Sequence, residues 1–346
     1  METMYPRELN YKMPAEWTAH QRTFISWPVQ ESMVYPDDYE HVWNGYAELV
    51  HAMAEFEPVT IVTNPDDIDK VKAIFVNERV GFLPIEHNDA WLRDNGPTFV
   101  KNDEGDIAGI NWIFNAWGEK YSPWKLDNDV APKILEHFNV KKFDAQIVME
   151  GGSFHVDGEG TLLTTEECLL NPNRNPDLSK EQVEQYLKDY LSIEKVIWLN
   201  KGLSGDETDG HVDNVACFAE PGKVIIQVCH DPSDDNYQIT QENLEILREA
   251  TDAKGRKLEI IEIEQPPASH FEESRLTLSY LNFYFVNGGI ILPVFGGVAK
   301  ETDQNAIAVL QRTFPNRKIR TIDGMAIIKE GGNVHCTTQQ MPAVGK

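Results

Sequence analysis

The chain is short of basic side chains: 31 Lys and Arg stand against 56 Asp and Glu, a formal net charge of −25 at pH 7. That deficit argues against nucleic acid as a partner, because displacing counterions from phosphates takes a basic footprint. It suits a cationic ligand, although an acidic surface also serves plain solubility. Apolar runs approaching the ~18–20 residues of a membrane-spanning helix are missing, so no membrane association is expected. The opening METMYPRELNYKMPAEW has no basic segment followed by an apolar one, and a cytoplasmic location is the expectation. Cysteine is scarce. Cys168, Cys217, Cys229 and Cys336 form no CxxC pair or zinc-finger spacing, which speaks against a disulfide scaffold or structural zinc. There is also no HExxH helix, which speaks against a metal site of that kind. Gly/Ser-rich or Pro-rich linkers and low-complexity segments are absent too, so residues 1–346 read as a single domain.

What the chain does have is repetition. Helical periodicity with start signals marks residues 35–56, 127–138, 177–191, 237–252 and 300–314. Ser179 with Gln182 three residues on has the form of a capping box, and Thr240 with Asn243 reads as a second helix start. Between helices lie paired strand-like runs with turn residues at their centres: PTFVKNDEGDIAGINW, SFHVDGEGTLLTTEE, NVACFAEPGKVIIQVC and LNFYFVNGGIILPVF. After helices come β-rich runs such as VTIVTN, KVIWLN, KLEIIEIEQ and KIRTID. The recurring unit is hairpin, helix, strand, about five times over, which predicts an α/β chain with internal pseudo-symmetry. An open doubly wound sheet is the competing architecture, and tight hairpins argue against it because they build antiparallel pairs.

One motif occurs twice: MEGGSFHVDG from Met149 and KEGGNVHCTT from Lys329. Paired glycines permit close backbone approach, so the two copies read as equivalent turns in two repeats, with Glu330 a turn residue and nothing more. Only the second copy carries a cysteine. Cys336 is polar in its surroundings, whereas Cys168, Cys217 and Cys229 lie in or beside apolar runs and read as small buried hydrophobes. A thiolate at Cys336 would be stabilised by backbone N–H dipoles of the turn. In DETDGHVDNVACF, His211 and Asp213 are two apart, which on a strand aims both at one face. In HNDAWLRDNGPTFV, Trp91 and Asp94 combine an aromatic with a carboxylate, a receptor for a planar cation. A thiol, a histidine and the carboxylates Asp94, Glu150 and Asp213 form a poor inventory for a papain-like protease. They are a good one for attacking a guanidinium carbon, since that group offers five N–H donors in one plane.

These residues, with MPAEWTAHQRTFISWP, NDAWLRDNGPTFV, NAWGEKY, MEGGSFHVDGEGTLLTTEECLLNPNRNP, GHVDN, NFYFVNGG and EGGNVHCTTQQMP, resemble the agmatine deiminases. Those belong to the wider family of guanidino-group-modifying enzymes that includes bacterial peptidyl-arginine deiminases. The resemblance runs from about Met13 to Pro342. It implies a five-bladed α/β propeller of ββαβ repeats, the pentein fold, around a central pocket. It also implies Cys336 as nucleophile, His211 as catalytic acid and base, Asp94 and Asp213 as guanidinium-binding acids, and Glu150 as a further acid facing the substrate. Trp91 and Trp117 are expected to line that pocket. The implied reaction is hydrolytic deimination of agmatine to N-carbamoylputrescine through a cysteine thiouronium, without cofactor or metal, in a homo-oligomer. Peptidyl-arginine or free arginine as substrate, and a catalytically silent guanidine or polyamine binder, are the alternatives. One departure stands out: Glu119 occupies a position in NAWGEKY where a second glycine is expected. Asp209, uncharged in some members, is another.

Overall fold

The computed structural model describes residues 4–76 and 79–345. Five sheets share one pattern, in which an antiparallel pair is followed, through a helix, by a parallel strand. Thr98–Lys101, Ile107–Ile113 and Lys141–Val148 form one such sheet, and Phe154–Val156, Thr161–Thr165 and Lys195–Leu199 the next. Ala216–Glu220, Lys223–Val228 and Glu259–Glu264 make another, followed by Tyr284–Val286, Gly289–Val294 and Lys318–Asp323. The remaining sheet joins the two ends of the chain. Its antiparallel pair is His20–Ser26 with Thr338–Pro342, and Val59–Thr63 and Val80–Pro84 continue it in parallel. All four expected hairpins are present, and the doubly wound alternative falls to these antiparallel pairs.

Each parallel connection passes through helix, from the five residues of Ile68–Lys72 to the 16 of Tyr39–Ala54, because a parallel neighbour cannot be reached by a tight turn. In Lys180–Leu191 the buried residues Val183, Leu187, Tyr190 and Leu191 recur at helical spacing and face the sheet. Burying such a face contributes roughly 1.5–3 kcal/mol per large side chain. Its capping box forms as expected: Gln182 N donates to Ser179 Oγ, and Ser179 N donates to Gln182 Oε1 over 2.8 Å.

Three helix boundaries differ from the expectation. The first helix starts at Tyr39, after a single 3-10 turn at Pro36–Asp38. The second is broken into Lys125–Asn128 and Val130–His137. Thr240 lies inside the helix Asn236–Glu249, where its hydroxyl donates to Tyr237 O and accepts from Cys229 N. It ties helix to sheet and starts nothing. None of the described helices is long and apolar enough to cross a membrane.

The loop that holds Trp117 explains the missing glycine. Ala116, Trp117, Gly118 and Glu119 all have positive φ, and Glu119 stands at +62°. A left-handed backbone costs a non-glycine residue about 1–2 kcal/mol, part of which glycine returns as unfolded-state entropy. Glu119→Gly is therefore expected to stabilise the chain by about 0.5–1 kcal/mol, read as a rise of about 1–3 °C in melting temperature. An unchanged or lowered melting temperature would show that the Glu119 side chain offsets its own strain.

Candidate active site

The two glycine-glycine turns meet the other site residues where the backbone comes closest. A Cβ built on Gly152 would lie 2.6 Å from His211 Nδ1, 2.9 Å from Asp94 Oδ1 and 3.0 Å from Asp213 Oδ2. One on Gly332 would lie 2.6 Å from Trp91 Cζ3 and 3.0 Å from Cys336 Cβ. Any side chain at either place would fill the site, so both motif copies do turn the chain toward a common centre. They diverge directly afterwards. The first copy enters the strand Phe154–Val156, whereas the second inserts one helical turn, Val334–Thr337, before its strand, and that turn carries Cys336.

Asp94 sits in another single helical turn, Leu92–Asn95, and is buried. Gly152 N donates to its Oδ1 over 2.9 Å, and Trp117 Nε1 donates to its Oδ2 over 2.9 Å. Trp117 thus orients a carboxylate as well as lining the cleft. His211 Nδ1 lies 3.7 Å from Asp94 Oδ2, and its Nε2 lies 3.7 Å from Glu150 Oε2. Burial alone would strip His211 of its proton, but the charge of Asp94, then the sulfur of Cys168 and the Glu150 carboxylate, outweigh it and raise its pKa well above the usual imidazole value. Burial, reinforced by Asp213 and Glu150 and opposed by His211 and Trp117, pushes Asp94 up to about 6.

His211 and Asp213 do not lie on a strand. His211 precedes the 3-10 turn Val212–Asn214, and the strand begins at Ala216. The turn still delivers both side chains to one place. Asp213 Oδ2 lies 2.9 Å from His335 Nδ1 and 3.6 Å from Cys336 Sγ. Its Oδ1 is buried with no hydrogen-bond partner, as are Glu150 Oε2 and both ring nitrogens of His211. Unpaired buried polar atoms cost about 1–3 kcal/mol each, and their concentration around one point marks a place where a ligand's donors complete the site.

Cys336 is held differently from the expectation. Asn282 Nδ2 donates to its Sγ over 3.1 Å, a contact that favours the thiolate. Burial and the charges of Asp213 and Asp94 outweigh it and push the thiol pKa well up. The free site therefore keeps a thiol, not a thiolate. No hydrogen bond among the described residues joins Cys336 to His211; Cys336 and Asp94 line the cleft, and His211 and Asp213 stand behind that lining.

Glu150 is placed behind the site. Its Oε1 accepts from Arg174 Nε over 2.7 Å, and it is fully buried outside the residues that line the cleft. Arg174 and His211 hold its carboxyl below the ordinary range despite burial. It faces the imidazole rather than open space. Glu330 is likewise more than a turn: it lines the cleft and accepts from Val34 N and Tyr35 N, which pins the segment over the entrance. Asp209 accepts from Arg174, Lys120 and Asn173 and so belongs to the frame.

Several supporting residues escaped the sequence reading. His335 bridges Asp213 to Glu16, whose two oxygens lie 3.0 Å from its Nε2. Burial and Arg93 oppose a charge on His335, but Glu16 and Asp213 raise its pKa. Arg174 sits in NPNRNP, where an arginine looks like an ordinary loop residue. The cue for His335 was present, since EGGSFH and EGGNVH place a histidine at the same offset, and His155 also approaches Glu16, at 3.6 Å.

The cleft above these groups encloses about 640 Å³, counted to its open mouth. Trp91, Asp94, Trp117 and Cys336 are among its buried lining residues, and Glu207, Glu330 and Tyr121 among the more exposed ones. Among the described lining residues there is no lysine or arginine.

Residues 12–342 match the family model of Porphyromonas-type peptidyl-arginine deiminase. A relative from Legionella pneumophila is 45% identical over 337 residues, covering 97% of this chain and 96% of its own length. The agmatine deiminase of Pseudomonas aeruginosa is 42% identical and covers 99% of both chains. Among solved structures, the agmatine deiminase of Enterococcus faecalis superposes with a TM-score of 0.93 at 36% identity over 99% of each chain. The chain belongs to the Porphyromonas-type peptidyl-arginine deiminase family.

Proposed function

We propose that this protein is an agmatine deiminase, hydrolysing the guanidinium of agmatine to release ammonia and N-carbamoylputrescine. The observation that carries the reading is the floor of the cleft. A thiol sits 3.6 Å from Asp213, a carboxylate with one unpaired buried oxygen, while Asp94 and a charged His211 stand beside it. A planar cation with several N–H donors is the ligand such acids accept. The acidic rim, Glu207 and Glu330 with no described lysine or arginine in the lining, suits a second positive charge at the far end. A free arginine would bring its carboxylate to those same acids. The names of the relatives point the same way.

The five sheets are read as the blades of a five-bladed α/β propeller with the site at its centre, the N- and C-terminal strands closing the last blade. In that centre Asp94 and Asp213 grip the guanidinium nitrogens. The arriving cation offsets the Asp213 and Asp94 charges that, with burial, keep Cys336 protonated, so the thiol loses its proton to solvent as the substrate seats. The Sγ–C bond forms, His211 gives its proton to the departing nitrogen, and ammonia leaves a thiouronium on Cys336. A water molecule deprotonated by His211 attacks that carbon, the C–S bond breaks, and the ureido product is released with the thiol restored. Glu150, buttressed by Arg174, keeps the His211 ring in place between the steps.

Ammonia release from agmatine, free arginine and an arginyl peptide tests the assignment. We expect kcat/KM for agmatine to exceed the other two by at least about 100-fold, the value of about 3 kcal/mol in discrimination against a mismatched charge. Preferred turnover of the peptide would move the chain to the peptidyl-arginine reading. Binding of agmatine without turnover would make it a silent binder.

A further inference from the structure

Cys168 lies in the short helix Glu166–Leu169 and is fully buried, as a packing cysteine would be. Its neighbours are not those of a packing cysteine. One donor atom each from Cys168, His211 and Glu150 lie within 4.8 Å of one another. Two of those groups carry buried atoms without hydrogen-bond partners, Glu150 Oε2 and the nitrogens of His211. We infer that Cys168, His211 and Glu150 form a binding site for a soft divalent transition-metal ion such as zinc, separate from the nucleophile Cys336. Occupancy inhibits the enzyme by withdrawing His211 from proton transfer.

The donor set fits such an ion by type and by size. Thiolate, imidazole and carboxylate are the three ligand types zinc takes, whereas magnesium and calcium keep to oxygen. Bond lengths of about 2.0–2.3 Å at tetrahedral angles put neighbouring ligand atoms about 3.3–3.6 Å apart. His211 Nε2 and Glu150 Oε2 are already at 3.7 Å. The other edges, inside 4.8 Å, close with a contraction of about 1 Å, as a rotating thiol allows. Glu150 needs to give up nothing, since Arg174 occupies Oε1 and leaves Oε2 free.

Charge is conserved as well. Binding displaces the proton of the Cys168 thiol and the proton of the His211 imidazolium, so one dication replaces two protons. The net charge beside Arg174 and Asp94 is unchanged, which removes the electrostatic obstacle that a bare ion would meet in a buried cluster. The price is catalytic: a metal-bound ring nitrogen can neither give nor take a proton.

The test uses the full chain carrying Cys336→Ala, so that the cleft thiol cannot supply a ligand. Titration with Co²⁺ is expected to give one ion per chain and a near-ultraviolet thiolate-to-cobalt charge-transfer band. The band should vanish when Cys168→Ser or Cys168→Ala is added, with circular dichroism confirming the fold of each variant. In chains that retain Cys336, the zinc concentration that halves each variant's own metal-free rate should rise at least about tenfold on Cys168→Ser. A band that survives loss of Cys168, no band in Cys336→Ala, or zinc sensitivity indifferent to Cys168 would overturn the site. The cobalt titration needs no turnover, so this inference and the deiminase assignment fail separately.

Discussion

Cys336→Ala is expected to release ammonia from agmatine at least about 10⁴-fold more slowly than the parent chain, while binding agmatine within about threefold of it. The two halves come from different atoms. Attack needs the sulfur, and Cys336 is the one cysteine among the described residues that line the cleft; Cys168 lies behind it, against His211 and Glu150. Binding needs Asp94 and Asp213, which the substitution leaves in place and relieves of nothing they require. His335 still orients Asp213 at 2.9 Å, and Trp117 and Gly152 still orient Asp94. Single-turnover ammonia release and calorimetric titration of agmatine read the two quantities. Turnover within about 100-fold of the parent would remove Cys336 from the nucleophile's role. A collapse of binding would mean that the thiol, not the carboxylates, holds the ligand.

The parts of this site that were legible in the sequence are those whose chemistry is carried by residue type within a few positions. Asp94, His211, Asp213 and Cys336 each stand in a short motif, and the turns that present them are built from neighbouring residues. The repeated unit was legible because hairpin and helix signals are local too. What was not legible depends on contacts across the chain. Glu150 was expected to face the substrate because its motif resembles that of the family's additional acid, but its direction is set by Arg174 on one side and His211 on the other. Glu16 and His335 lie more than 300 positions apart, and only closure of the terminal strands brings them together. Cys336 was expected to ionise on local N–H dipoles, yet burial, joined by two acids from distant turns, outweighs those dipoles. Helix edges failed for smaller reasons: Thr240 has the residue type of a cap but spends its hydroxyl inside the helix.

Asp94→Asn carries the second large effect, and it ties binding to pH. Burial and the neighbouring acids raise the Asp94 carboxyl to about 6, so in the free enzyme it is protonated below that value and ionised above it. A guanidinium binds the ionised form, and seating it below pH 6 must expel a proton. Agmatine affinity of Cys336→Ala is therefore expected to rise about fivefold from pH 5 to 6, by about a further twofold above that, and to level off by about pH 7. Adding Asp94→Asn should abolish that limb and weaken binding at pH 7.5 by about 30-fold or more, the equivalent of about 2–5 kcal/mol for one partner of a buried charge pair. The loss has a geometric share, because an amide has one acceptor oxygen where the carboxylate has two. Either Gly152 N or Trp117 Nε1 then meets an N–H instead of an oxygen, and the group can no longer hold its present orientation. Titration calorimetry across pH 5–8 on both variants separates these shares. An unchanged pH limb in Asp94→Asn would assign the proton to another group, and unchanged affinity would dissolve the clamp.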